Sequence, residues 1–442
     1  MERENFPVEK TPFDKRRGEA PCFSTEAVEA EILAAAGILL FFHKTAPYDY
    51  FPYVILFSFL KRAFGRKGGP LMKFSCEKAL LQNAISVTSR AVAQKSSIPA
   101  LEGLLLHAGE DGLTVSGYNM QTGIRAKVSA GVEEKGEIVL NARLFGDIIR
   151  RMPDDTVTFI SNEKLQVRLL CGDADFDIPG LSAADYPDLP EVEDEYAVSM
   201  QRKVLRAMIE EVAFAVSTNE SRPVHTGALF EIGEGRLTMA AVDGFRLAVR
   251  KEPLEKLEGG AFSFVAPGPA LNEVKSICGD VEDLAEITLG RRHILFTVGD
   301  VELICRRLEG EFLDYRNAIP KNNPIAVTVE AKALIESIDR VSVVISDKLK
   351  SPVRCRFEEN RVLLSAKTGN GEAKDVCRLE GDGGGLEIGF NNRYLMEALR
   401  YAPAETVRIE LNTGVSPAII VPTDEKDNFL YMVLPVRLKS EG

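Results

Sequence analysis

The 442-residue chain has little of what metal and redox sites are made from. Its four histidines, His43, His107, His225 and His293, lie too far apart to write any HExxH-type zinc site. Seven cysteines are scattered without a CxxC pair, and their number is odd. That argues against a disulfide framework or a zinc ribbon and makes a reducing cytosol the simpler home. Walker A, GxSxG and GxGxxG strings are missing, which removes the usual nucleotide, acyl-transfer and dinucleotide signatures. Positive charge is short as well: the formal net charge is -12, which argues against generic field-driven binding of nucleic acid.

The longest apolar runs are "EILAAAGILLFF" (Glu31 to Phe42) and "YVILFSFL" (Tyr53 to Leu60), both shorter than the ~20 residues that span a bilayer. Both fall within residues 1–71, a segment that also holds nine of the 23 phenylalanines. Its acidic "MERENF" is not the start of a signal peptide. We read 1–71 as an extension outside the fold, upstream of a start-like "MKFSCEKALL" at Met72. The alternative is a membrane hairpin followed by the basic "KRAFGRKGG", which would make a membrane-tethered protein.

Past Met72 the text repeats three times. Helix openings "CEKALLQNAI", "QRKVLRAMIE" and "EAKALIESID" align Lys78, Lys203 and Lys332, and two residues later Leu80, Leu205 and Leu334. Each is followed by short β-rich runs broken by Gly, Asp and Asn, the pattern of hairpins and meanders. A second helix then appears in every copy: "NARLFGDIIRRMP", "PGPALNEVKSICG" and "NNRYLMEALRYAP". The spacing predicts an α+β fold of three tandem repeats, 72–190, 191–324 and 325–442. "LSAADYPDLP" and "GEFLDYRNAIP" share an Asp-Tyr phrase, and each precedes a crossing to the next copy. They read as exposed connectors, and the third copy, having nowhere to cross, lacks one.

Two strings imitate catalytic sites. Asp173, Asp175 and Asp177 alternate as in a calcium loop, yet Ala184 stands where the bidentate glutamate belongs, and a half-buried strand explains them better. Asp243 with Arg246 reads as an Asp-Gly hairpin turn, with no histidine or second carboxylate expected nearby. A metal-dependent enzyme on a triplicated scaffold would have to use one of these.

The three tandem repeats, "VDGFRLAV", "LDYRNAIP" and the terminal "LPVRL" together resemble the bacterial sliding clamp, the beta subunit of DNA polymerase III, from Met72 to Leu438. The resemblance implies a non-enzymatic homodimeric ring of six domains, helices inside and strands outside, that holds duplex DNA by topology without sequence specificity. It needs no cofactor of its own, and a clamp loader complex is expected to open it. An acidic exterior then ceases to be an objection, because the inner helices need only mild positive charge.

Those helices offer Arg143, Arg150 and Arg151 in the first copy and Arg202, Lys203 and Arg206 in the second. Family loops that touch the duplex correspond to Lys95 and to Asn219 and Arg222. The pocket that receives peptides of DNA polymerases and other clamp-binding proteins corresponds to His225, Val242, Gly244, Phe245, Arg246, Leu247, Pro320, Leu349, Asn391, Tyr394, Val415, Pro417, Met432, Leu434, Pro435, Val436 and Arg437. His225 stands where the family has an aliphatic residue, which predicts a more polar trough. Phe176, Val344 and Ile345 match positions at the ring junction.

Overall fold

The computed structural model describes residues 71–192, 196–258, 260–345, 351–424 and 428–438. The extension with both its apolar runs, and Leu349, lie outside them. Among the described residues no helix is long and apolar enough to cross a membrane.

The first repeat runs β1 (Met72–Glu77), α1 (Lys78–Thr88), β2 (Gly103–Gly109), β3 (Gly112–Tyr118), β4 (Thr122–Val128), β5 (Gly131–Glu134), β6 (Gly136–Asn141), α2 (Ala142–Arg151), β7 (Thr156–Ser161), β8 (Gln166–Cys171) and β9 (Ala174–Pro179). The second follows the same order: β10 (Tyr196–Gln201), α3 (Arg202–Ala213), β11 (Gly227–Gly233), β12 (Arg236–Val242), β13 (Arg246–Pro253), β14 (Lys256–Glu258), β15 (Phe262–Pro267), α4 (Gly268–Cys278), β16 (Leu284–Leu289), β17 (His293–Val298) and β18 (Val301–Arg306). A one-turn helix, α5 (Tyr315–Ala318), interrupts the second connector. The third repeat fuses its middle strands into one long hairpin: β19 (Ile325–Glu330), α6 (Ala331–Ser342), β20 (Val353–Thr368), β21 (Gly371–Phe390), α7 (Asn392–Arg400), β22 (Thr406–Leu411), β23 (Ala418–Pro422) and β24 (Phe429–Val433).

The helices are amphipathic, and each buries one stripe. On α2, Phe145, Ile148 and Ile149 face the core while Arg143, Arg150 and Arg151 stay in solvent. Asn141 caps α2 by accepting the Leu144 N–H at 3.0 Å, and Asn391 caps α7 by accepting the Tyr394 N–H at 3.2 Å. In the second copy proline takes over the same place, with Pro267 at the cap and Pro269 in the first turn.

The repeat register of the first helix differs from the sequence alignment by one residue. Glu77, Gln201 and Glu330 occupy equivalent strand ends, so Lys78 corresponds to Arg202 and not to Lys203. The partner of the buried Leu205 and Leu334 is therefore Leu81, fully buried, and not Leu80, which is 44% exposed.

Two sheets run continuously across repeat boundaries. A nine-stranded sheet joins the first and second repeats by pairing β4 with β18, Ala126 opposite Val301 and Thr122 opposite Cys305. A ten-stranded sheet joins the second and third by pairing β13 with β24, Arg250 opposite Phe429 and Arg246 opposite Val433. The two seams share one register: Thr122 corresponds to Arg246, and Cys305 to Val433.

The Asp-Tyr segments are not the exposed connectors expected from sequence. Each first adds a single β-bridge, Leu181 to Val139 and Leu308 to Val265, and then lies as a strap over its seam. Tyr186, Leu189 and Tyr315 are buried beneath the straps, while Asp185, Asp188 and Asp314 remain outside. The Tyr186 hydroxyl donates to the Ser116 carbonyl, and that of Tyr315 to the Glu231 carboxylate at 2.7 Å. Acidic and proline-rich composition records only the outer side of such a segment. One buried tyrosine with a few apolar neighbours, Leu189 in the first strap and Phe312 and Ile319 in the second, is enough to bury the inner one.

Candidate functional site

At the seam between the second and third repeats, the β12–β13 turn is built by Asp243. Its carboxylate accepts the N–H groups of Phe245 and Arg246 at 2.9 and 3.1 Å, and Gly244 takes φ of 90°. Only one turn residue is left-handed, so this is not a type I′ turn, which requires two. The turn leaves Phe245 57% exposed and turns Arg246 inward to 7%.

Arg246 is the hub of the seam. Its Nε donates to Asp243 at 2.9 Å and its Nη1 to Glu397 on α7. The guanidinium lies 4.6 Å from the Tyr394 ring centroid and 5.3 Å from that of Phe214. Tyr394 in turn stacks on Phe245 at 5.8 Å, and the Leu434 N–H donates to the Phe245 carbonyl at 2.9 Å. A second carboxylate therefore does stand beside Asp243, contrary to the sequence reading. Its residue, Glu397, arrives on a helix 151 residues away, so nothing in the local string signals it. Burial pushes the Glu397 carboxyl up, but hydrogen bonds from Arg246 and Arg393 outweigh it and hold the group below its usual range.

The structure gathers most of the expected pocket residues around this hub. Val242, Leu247 and Met432 form one apolar cluster with Ile419 and the strap residues Tyr315 and Ile319. Pro320 ends the strap and lines a cavity of about 380 Å³ with Ile319, Ile419, Val421 and Leu430. Asn391 and Tyr394 open α7, and the Val436 N–H donates to the Gly389 carbonyl, which draws the Pro435–Val436–Arg437 segment along β21. His225 is half-buried edge-on to strap residue Phe312, ring centroids 5.4 Å apart. Burial, then Arg222, lowers its pKa, which favours a neutral ring. Val415 lies on the β22–β23 loop, 71% exposed, with Pro417 half-buried beside it.

The basic residues divide into two kinds. Lys95, Asn219 and Arg222 sit exposed on loops, and Arg143, Arg150, Arg151 and Lys203 project from helices. Arg143 and Arg150 line a groove of about 810 Å³ between α1 and α2, with Gln82, Ser86 and Asp147. Asp147 accepts contacts from Arg150 at 3.1 Å and Arg151 at 3.4 Å, which tempers their charge. Arg206 is half-buried, and Arg202 is turned back to the Leu284 carbonyl and Asp283, its side chain 16% exposed.

Phe176 sits on β9, at the open edge of its sheet, and is 38% exposed. Val344 and Ile345 follow α6, half-buried, with the Thr368 hydroxyl donating to the Val344 carbonyl at 2.7 Å. The aspartates of the calcium-like string lie on or beside β9, where Arg168 engages Asp175 through both nitrogens. Among the described residues no three His, Cys, Asp or Glu side chains cluster as a metal site requires.

The DNA polymerase III beta subunit family matches by all three of its domain models: N-terminal over residues 72–190, central over 199–314 and C-terminal over 316–437. The chain belongs to the bacterial sliding-clamp family. The beta sliding clamp of Staphylococcus epidermidis is 31% identical over 377 residues, covering 83% of this chain and all of the relative. That of Bacillus subtilis is 29% identical over 378 residues with the same coverage. The solved Bacillus subtilis clamp superposes with a TM-score of 0.79 at 28% identity, covering 83% of this chain and all of that one. The Thermotoga maritima beta subunit gives 0.77 at 27%, also covering 83% of this chain and all of that one. As a sliding clamp the protein is a non-catalytic processivity subunit acting in DNA replication, and the metal-enzyme reading of Asp173, Asp175 and Asp177 falls with that assignment.

Proposed function

We propose that two copies of the chain close head to tail into a ring around duplex DNA in the cytoplasm, and that a clamp loader opens the ring. The peptides of DNA polymerases and other partners would dock at the Arg246 seam. The repeats are taken as 72–190, 191–324 and 325–442.

The observation that carries the ring is a pair of spare edges. β9 is an outer strand of the five-stranded sheet, and the 371–379 half of β21 pairs only with β20 among the described residues. These are the repeat counterparts of β18 and β4, the strands that make the first seam. Applying the register of the two internal seams sets Phe176 opposite the partner's Ala373. Its counterparts Leu303 and Tyr431 are 1% and 0% exposed, whereas Phe176 is 38% exposed in the single chain. Two such junctions use up the seam-type edges of both copies, β9 and the 371–379 half of β21, which is what closes a ring and ends growth.

For the peptide site, an apolar cluster framed by exposed Phe245 and Val415 has the make-up of a trough for leucine and phenylalanine anchors. The exposed helix and loop cations support contact with phosphates, without readout of base sequence.

The test is retention. The protein is loaded with its cognate loader and ATP onto nicked circular plasmid, isolated at moderate salt, and the plasmid is then cut. Release on cutting means encirclement. Equal retention before and after cutting means ordinary contact binding and removes the ring.

A further inference from the structure

The seam between the first and second repeats is built like the seam that carries Arg246, yet it presents a different chemistry. In both, a hairpin tip is closed by the same backbone bond, Asn119 N–H to Thr122 carbonyl at 3.2 Å and Asp243 N–H to Arg246 carbonyl at 3.3 Å. In both, the residue after the last one paired across the seam donates to that tip: Arg306 to the Gln121 carbonyl at 3.3 Å, Leu434 to the Phe245 carbonyl at 2.9 Å. The β16–β17 turn occupies the place of the Val415 loop. At the first seam the counterpart of Leu247 is Gly123, and a Cβ there would come within 2.7 Å of Leu189 Cδ2. The strap fills that volume with its own leucine, so an apolar anchor has no seat.

What remains at this rim is arginine. Arg291 and Arg292 form the β16–β17 turn, and Arg306 and Arg307 follow at the end of β18. The Arg307 N–H donates to the Arg292 carbonyl at 3.0 Å, and His293 sits opposite Arg306. Arg291, Arg292 and Arg306 are exposed and Arg307 is half-buried. Only Arg306 has an ion pair among the described residues, with Glu309 at 3.2 Å, both side chains more than 60% exposed. The field of the group is felt locally: burial, then Arg306 and Arg292, lowers the pKa of His293. Four arginines at one turn and the strand end beside it, on a chain of net charge -12, are out of character for its surface.

We propose that Arg291, Arg292, Arg306 and Arg307 form a docking surface for an acidic polypeptide segment, a charge-reading counterpart of the apolar trough one seam away. Guanidinium forks match carboxylates in pairs, so a short run of Glu or Asp is the natural ligand. Glu309 and Glu311 follow directly in the chain and bound the patch. They limit it to a few residues and oppose the long continuous phosphate track of a duplex. The inference rests on the seam geometry and stands apart from the proposed ring and peptide trough.

The probe is fluorescein-labelled hexaglutamate, followed by anisotropy with the full-length protein at low salt, with hexaglutamine as the neutral control. Binding should weaken about tenfold or more in Arg291→Glu/Arg292→Glu and stay within about threefold of wild type in Arg291→Lys/Arg292→Lys. Arg236→Glu, at an exposed arginine that opens β12, should leave it unchanged. Thermal midpoints of the variants separate lost binding from lost folding, and the lysine pair covers the case in which the glutamate pair fails to fold. Hexaglutamate that binds no better than hexaglutamine, or equally well to the glutamate pair, overturns the proposal. A short duplex that needs these arginines and is not displaced by hexaglutamate assigns the surface to nucleic acid and overturns it as well.

Discussion

Arg246 binds Asp243 of its own turn and Glu397 of the third repeat with one guanidinium, 8% exposed, so one side chain fastens two repeats. Removing it takes the ion pair from Asp243, 12% exposed, which keeps only the backbone N–H bonds of its turn, and leaves Glu397, 18% exposed, with Arg393 alone. Arg246→Ala should therefore cost about 2 kcal/mol or more in chemical denaturation. Arg246→Lys should recover only part, because a lysine cannot fork between both acids. A loss below about 1 kcal/mol in the alanine variant would show that the seam does not depend on the pair.

Two carboxylates at this seam should respond to pH with opposite sign. Glu397 is held below its usual pKa, so its stabilisation is present above the unfolded value of about 4.3 and is lost as pH falls through the folded one. Glu211, bound to Arg250, is raised: burial pushes it up and outweighs the Arg250 contacts. Its favourable share is present below about 4.3 and lost as pH rises through the folded value. Thermal midpoints of Glu397→Gln and Glu211→Gln across pH 3–7 should thus differ from wild type in opposite directions. Curves parallel to wild type would refute both assignments.

Phe176→Arg should leave the fold intact, since the side chain is already partly in water, while weakening dimerisation about 30-fold or more. Light scattering over a dilution series reads this directly. A dimer that survives unchanged would dismiss the proposed register of β9 on β21.

Lys95→Ala and Arg150→Ala should each weaken binding to short duplexes equally across sequences and lower the salt slope by about one unit. Arg202→Ala should change the salt slope little, because that side chain is already engaged by Leu284 and Asp283. An effect of Arg202 as large as that of Lys95 would contradict the inward placement.

The threefold plan was legible because helix and strand periodicity survives even where residue identity does not. Register is not legible where chemistry is degenerate: Leu80 and Leu81 are both leucine, and only the strand ends decide which one the core takes. The straps are not legible in the sequence, because an acidic surface conceals a buried tyrosine. The Arg246 site was half legible. Its turn lies in one short string, and the i,i+4 pair of Arg393 with Glu397, at 2.9 Å, is visible in another. Nothing in either string says that they meet, because that contact depends on sheet pairing between β13 and β24. Distant pairings of this kind are set by the fold as a whole and leave no local trace.

The shared sheets also set a problem for the ribosome. β4 receives its second neighbour only when Val301 arrives to pair with Ala126, about 175 residues downstream. At ~5–20 residues per second the first repeat waits roughly 10–35 s with that edge open. Arg125 and Lys127 lie along it, and in the finished protein both approach Glu302 at 3.9 Å. Until Glu302 is translated they are bare cations on an unpaired strand, the kind of charge that keeps nascent chains from joining edge to edge. The ion pairs that later neutralise them are the same ones that mark the edge as taken.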